Sequence, residues 1–477
     1  MIFNSIEFGI FFPLAFLLYW LFFKDNIKLR NLYLIAISYL FYGWWDWRFL
    51  SLIIVSSLVD FLVGQKLGTS DDGKTRKRLL FLSIAVNIGF LAFFKYFNFF
   101  VDSFVGAFTL FGTAPNISTL SIILPVGISF YTFQTLSYTI DVYYKKMEPT
   151  NDAIGFFAFV SFFPQLVAGP IERAKHLLPQ FSEKKTINYE MLRSGLLLMA
   201  WGFFKKIVIA DRLARFVDGS YGSLETSSGL PSFFAMIFFA FQLYIDFSAY
   251  TDIAIGGART LGFNLNLNFN HPYLSSSFSN FWKRWHISLS SWFQDYLYIP
   301  LGGSRNGSFA TKRNILIVFL LSGLWHGASW NFVIWGALNG LFLVVFDGLL
   351  AKISKIDPRH IFTSLFIFFA WAVSLIFFRA KGFDQAMQMF GNLGFSNIES
   401  LYEFGLGESE FKFTIFLLIG LMTFEIVEEK SKNLYEWFVS KHFLLRWLLY
   451  LALAVSIILF GSYGMGLNDS NFIYFQF

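Results

Sequence analysis

Between Asp102 and Asp141 the chain runs for 38 residues without one acidic or basic side chain, and residues 315–346 repeat the pattern. A globular fold in water needs polar positions at every turn of its outer face. A bilayer needs the opposite, about 20 mostly apolar residues per crossing. Charged residues make up 14% of the chain and AVILMFWYC 56%, against roughly 25% charged in ordinary soluble domains. Too few charges remain to cover a water-soluble surface. In lipid, a helix satisfies its own backbone polar groups, so the expected class is an all-α polytopic membrane protein.

The apolar runs number roughly 11–13 on the 20-residue criterion. Residues 8–23, 31–45, 49–64 and 79–94 come first, with Asp60 interrupting the third. The 103–140 run is broken by Pro115, Pro125 and several glycines, and reads as one span plus a re-entrant or broken segment. Residues 153–171, 194–204 (extended past Lys206), 226–245, 315–346, 361–378, 413–424 and 447–466 follow. Residues 262–313 are too rich in Asn, Ser and interrupting aromatics for a simple span, which suits re-entrant or interfacial helices.

The first 23 residues carry no Lys or Arg, so they read as a first span and not as a cleavable signal. Lys24, Lys28 and Arg30 follow that run, and Lys66, Lys74, Arg76, Lys77 and Arg78 come two spans later. Both loops therefore fall on one side, taken as cytoplasmic, with the N-terminus outside. Lys430, Lys432, Lys441 and Arg446 before the last span place the C-terminus outside too. The net charge of +6 sits in such loops and not on one face, which argues against nucleic acid. The chain has no cysteine, which excludes disulfides, thiolate metal sites and a Cys nucleophile. No His/Asp/Glu set has metal-ligand spacing, and no glycine-rich phosphate loop follows a strand. Matching halves with paired broken helices, the mark of many transporters, are missing.

Ionisable groups at membrane depth are costly and therefore candidates for function. Of six histidines, His176, His442 and His360 lie in charged loops or at a span entrance, and His271 lies in an Asn-His-Pro turn. Structural or solvated roles suit these four. His326 lies within a charge-free run, in Ser322-Gly323-Leu324-Trp325-His326-Gly327-Ala328-Ser329-Trp330. Gly323/Gly327 and Gly336/Gly340 are small-xxx-small pairs that predict close helix packing there. On a continuing helix Gly323, Gly327 and Trp330 would crowd the imidazole; a core histidine bonded to a carbonyl is the plain alternative. His286 follows Phe281-Trp282-Lys283-Arg284-Trp285, a pattern that equally suits an interfacial helix. Asp246 and Asp252 could serve an ion pathway, or form buried pairs with Arg259, Lys205 or Lys206.

The stretches Phe281-Trp282-Lys283-Arg284-Trp285-His286-Ile287-Ser288-Leu289, Asp295-Tyr296-Leu297-Tyr298-Ile299-Pro300-Leu301-Gly302-Gly303 and Leu324-Trp325-His326-Gly327 together resemble the membrane-bound O-acyltransferase family. Residues 124–134, 163–171 and 472–477 agree, so the resemblance extends over essentially the whole chain as a single integral-membrane domain. It implies helices around a central tunnel, with residues 264–340 as the catalytic core. It further implies that His326 is the catalytic histidine and His286 its assistant. Trp285, Ser288, Asp295, Tyr298, Trp325 and Trp330 would line the substrate path.

The implied reaction moves an acyl group, acetyl by expectation, from a cytoplasmic donor to an exported or cell-surface polysaccharide. Peptidoglycan O-acetylation and teichoic-acid D-alanylation are the alternatives inside the family. A non-enzymatic export channel or scaffold is the alternative outside it. Acetyl-CoA is a candidate donor, although no residue pattern marks a CoA site, and no bound cofactor is expected. Within that family the chain more closely resembles the bacterial branch of alginate O-acetylation, which further implies an outward-facing accessory protein and a place in the bacterial inner membrane, in contact with lipid. Acyl transfer to a hydroxyl needs a base near neutral pH, which suits histidine, and burial should favour its neutral form.

Overall fold

A computed structural model describes residues 1–112, 117, 119–353, 360–431, 434–462 and 472–473. Pro115, Asp357, Pro358 and Arg359 lie outside the described residues, as do residues 474–477 of the C-terminal motif. Helices account for nearly all regular structure. Among the described residues there is no β-strand, only one isolated bridge between Gly229 and Leu393.

Among the described residues, seven helical stretches are long and apolar enough to cross a membrane: Ile6–Phe23, Ile27–Thr69, Gly73–Leu110, Leu230–Thr260, Trp330–Leu350, Ile361–Arg379 and Phe443–Phe460. The expected segments are thus partly merged. Ile27–Thr69 has 43 residues and Gly73–Leu110 has 38, each close to twice what one crossing requires. Ile27–Thr69 joins the helices Ile27–Asp46 and Leu50–Thr69 through the short turn Trp47–Phe49. The expected 226–245 span proves to be the first half of a 31-residue helix that carries Asp246 and Asp252 in its second half.

Helix starts follow local chemistry. The side chains of Ser5, Asn26, Asp72 and Asp152 accept the orphan N–H groups of Phe8, Leu29, Thr75 and Gly155. The 103–140 run divides as expected: the helix Phe97–Leu110 ends within it, and the buried helix Ile128–Tyr143 begins after Gly127 at φ +75°.

The chain packs as two units. One comprises Met1–Leu196 with Ala254–Asn266, the other Leu197–Ile253 with Leu267–Phe477. In the first, the guanidinium of fully buried Arg30 donates to the carbonyls of Phe181 and Glu183. Tyr19 and Trp20 donate to the carbonyls of Leu261 and Thr260. In the second, the helices Gly307–His326 and Trp330–Ile353 form a hairpin in which Gly323 faces the backbone of Phe332 and Gly336 that of Phe319. A Cβ at either glycine would collide with a carbonyl, so the small-xxx-small pattern here marks true backbone contact.

Candidate active site

Both site histidines lie in the second unit. His286 stands at a turn between the helices Phe278–Trp282 and Ile287–Phe293, in the left-handed region at φ +43°. That conformation costs a residue other than glycine of order 1–3 kcal/mol, so surrounding bonds must impose it. Asn268 supplies them. Its carbonyl accepts the N–H of Ile287 at 2.9 Å, and its side-chain oxygen accepts the N–H (3.2 Å) and hydroxyl (2.9 Å) of Ser288. Asn270 donates to the carbonyl of Arg284 at 2.9 Å, so residues 268–270 clamp both sides of the turn. The imidazole is 1% exposed and meets the rings of Phe247 at 4.7 Å, Trp325 at 6.1 Å and Phe269 at 6.4 Å.

His326 is the last residue of its helix, where Gly327 turns the chain into extended backbone at φ −158°. Phe332 packs against that glycine so closely that a Cβ would overlap its ring. The imidazole is 5% exposed, with Trp325 and Trp335 both at 5.0 Å and Phe378 at 5.4 Å. Trp335 and Phe378 come from neighbouring helices, which Asn331 and Asn339 join by donating to the Ala380 carbonyl and the Ser374 hydroxyl. Both imidazoles therefore pack on one indole, that of Trp325. The 40 residues separating them in sequence converge on a single aromatic cluster.

The other expected lining residues divide. Trp325 belongs to the site. Trp285 is 2% exposed and packs on Trp371 at 4.8 Å and Phe269 at 5.1 Å, inside the same aromatic mass. Ser288 is part of the Asn268 clamp. Asp295 and Tyr298 lie half-buried on the wide turn Gln294–Tyr298 that follows. Trp330 departs from expectation: it is 60% exposed and opens the next helix. The i+4 relation fails because the helix ends at His326, and Trp335 and Phe378 form the wall instead. Neither they nor Asn268 carry a local sequence signal, since their partners are distant in the chain.

Asp246 and Asp252 follow the structural reading. Lys206 bridges Asp246 (2.8 Å) and Asp211 (2.9 Å), Lys205 meets Asp252 at 2.7 Å, and Arg259 is not the partner. Asp246 accepts the N–H of Ile473 at 2.9 Å, and neighbouring Phe472 packs on Phe247 at 5.6 Å. The C-terminal motif thus reaches a ring that also faces His286.

The remaining histidines keep to carboxylates or caps. His176 contacts buried Glu172 at 2.7 Å, and that hydrogen bond raises its pKa. His271, also left-handed at φ +45°, lies 3.8 Å from Glu425 and 3.6 Å from Glu428. Burial lowers its pKa, but the charges of Glu425, Glu428 and Glu429 outweigh it and the net shift is upward. His442 caps the last helix by accepting the N–H of Leu444. Among the described residues no cluster of His, Asp and Glu could hold a metal ion.

Comparison with known proteins agrees with this geometry. The model of MBOAT, the membrane-bound O-acyltransferase family, matches residues 150–383, which contain both site histidines. The chain is 40% identical over 395 residues to the "Probable alginate O-acetylase AlgI" of Azotobacter vinelandii, covering 82% of this chain and 77% of that protein. It is 35% identical to the peptidoglycan O-acetyltransferase of Helicobacter pylori, covering 84% and 81%. The teichoic acid D-alanyltransferase of Streptococcus thermophilus is 28% identical over 50% of this chain and 60% of its own length. With two buried histidines converging on one aromatic cluster inside the matched region, and with relatives of this identity and coverage, the chain belongs to the membrane-bound O-acyltransferase family.

Proposed function

We propose that this membrane O-acyltransferase carries an acetyl group from a cytoplasmic thioester donor, acetyl-CoA, to a hydroxyl of an exported polysaccharide. The observation that carries this reading is the packing of His286 and His326 on one indole within the family-matched region. The 40% identity to an alginate O-acetylase supports the acetyl group and the polysaccharide. The 35% identity to a peptidoglycan O-acetyltransferase keeps that glycan as a second acceptor. Family membership displaces a channel or scaffold as the first reading.

His326, as a neutral imidazole, takes the proton of the acceptor hydroxyl while its oxygen attacks the acyl carbonyl. The new ester C–O bond forms and the C–S bond of the donor breaks. The imidazolium returns its proton to the departing thiolate. His286, fixed by its clamped turn, orients one reacting group by hydrogen bonding. Aromatic walls around both rings keep water from competing for the acyl group.

A separate outward-facing protein completes transfer to the polymer, and the chain sits in the inner membrane with its N-terminus outside. The basic residues flanking the junction of the helices Leu50–Thr69 and Gly73–Leu91 support that orientation. Purified chain in proteoliposomes, given acetyl-CoA inside and acceptor outside, should transfer little until the outward protein is added. Full modification by the chain alone would refute the need for it. A single cysteine at position 74, on a chain that has none of its own, should resist impermeant thiol reagents in intact cells. Labelling there would reverse the topology.

A further inference from the structure

Asp60 lies midway along the helix Leu50–Thr69, in the first unit, and is 0% exposed. One carboxylate oxygen accepts the hydroxyls of Ser83, in a short contact, and of Thr139 at 3.1 Å. The other accepts the amide N–H of Asn87 at 2.8 Å. The Asn87 carbonyl oxygen in turn accepts the hydroxyls of Ser56 at 2.7 Å and Thr135 at 3.2 Å. All six side chains are buried to 1% exposure or less and come from the helices Leu50–Thr69, Gly73–Leu91 and Ile128–Tyr143.

Among the described residues no lysine, arginine or histidine pairs with Asp60. The other ionisable group whose charge it feels is Tyr138, whose hydroxyl accepts the N–H of Thr150 at 3.2 Å. Other interior carboxylates have a basic side chain beside them: Asp246 and Asp211 share Lys206, Asp252 has Lys205, and Glu172 has His176. An uncompensated carboxylate in so dry a place is costly, and neutral donors repay only part of that cost.

The side chains offer one carboxylate, four hydroxyls and one amide oxygen, all hard oxygen atoms of the kind that bind alkali cations and not softer metals. Hydroxyls can rotate their lone pairs inward without moving the backbone. We propose that the interior of this three-helix packing binds a small monovalent cation, Na⁺ or a proton, at Asp60. The bound cation supplies the positive charge that lysines supply in the second unit, and it ties three helices through one shared ligand set.

The test uses the purified full-length chain in detergent. Thermal stability is followed in NaCl, KCl and choline chloride at fixed ionic strength, at acidic and alkaline pH. With Na⁺ as the occupant, Tm should climb steadily with the logarithm of Na⁺ concentration and not with choline. With a proton as the occupant, Tm should climb on acidification whatever the salt. In either case Asp60→Asn should flatten the dependence, because the amide carries no charge to neutralise. If Asp60→Asn does not fold, Ser83→Ala and Thr139→Val should weaken the same response. A wild-type Tm indifferent to both Na⁺ and pH, or a response that persists undiminished in a folded Asp60→Asn, overturns the proposal.

Discussion

Four of the six histidines of this protein divide between two kinds of surroundings. His286 and His326 are enclosed by rings, at 1% and 5% exposure, and share the indole of Trp325. His176 and His271 lie instead against Glu172 and against Glu425 and Glu428. Backbone strain does not separate the two kinds, because His271 and His286 adopt nearly the same left-handed conformation, at φ +45° and +43°. What separates them is the partner. A carboxylate fixes a positive charge and turns the ring into a tie between segments. The other two imidazoles are surrounded instead by the rings of Phe247, Trp325, Trp335 and Phe378, inside the region matched to the family.

The comparison breaks most visibly at His326. His326→Gln keeps bulk and hydrogen bonding but cannot act as a base, so transfer should fall about 10²–10⁴-fold in a purified assay. The variant should still elute as monodisperse protein. Near-normal transfer by that folded variant would remove His326 from the base role.

His286→Ala should cost less, about tenfold, the worth of one hydrogen bond in an orienting role. A loss as deep as that of His326→Gln would make His286 an equal partner in the chemistry. Asn268→Ala releases the clamp on Ile287 and Ser288 and should cost activity only through His286. The double variant should then be no slower than His286→Ala alone, whereas additive losses would show that Asn268 acts by another route.

The smallest effect is expected at the carboxylate-bound rings. His176→Gln and His271→Gln should leave transfer within about twofold, well inside one hydrogen bond's worth. The His176–Glu172 contact is partly solvent-exposed, so its loss should lower stability by less than about 1 kcal/mol. The folded-state pKa of His176 is raised by Glu172, so this contribution is fully present below the unfolded value of about 6.5. It is lost as pH rises through the higher folded value. Wild-type Tm should therefore fall more than that of His176→Gln between acidic and alkaline pH. Parallel curves for the two proteins would refute a stabilising ion pair there.

Several particulars show where sequence reading reached and where it stopped. Asp246 and Asp252 were legible as buried charges needing a cationic partner, but which of Arg259, Lys205 and Lys206 supplies it was decided by packing. Gly323 and Gly336 were legible as a close helix contact, because only small residues permit one. Trp330 misled, since helical spacing presumes a helix that continues, and this one ends at His326. Asn268, Trp335 and Phe378 carried no signal. Each acts on a histidine 9 to 52 residues away, and no local pattern encodes such a meeting.

The sequence by itself determined the solvent, the helical class and the family. Apolar runs with so few charges are tolerable only in lipid, and lipid demands helices. The paired motifs around His286 and His326 mark the family. Tertiary structure alone decided which neighbours each histidine receives. That choice depends on where a helix stops, on how closely two glycine-bearing helices approach, and on a left-handed turn held by an asparagine 18 residues earlier. Each is a contact between distant parts of the chain, and its energy exists only once those parts have packed.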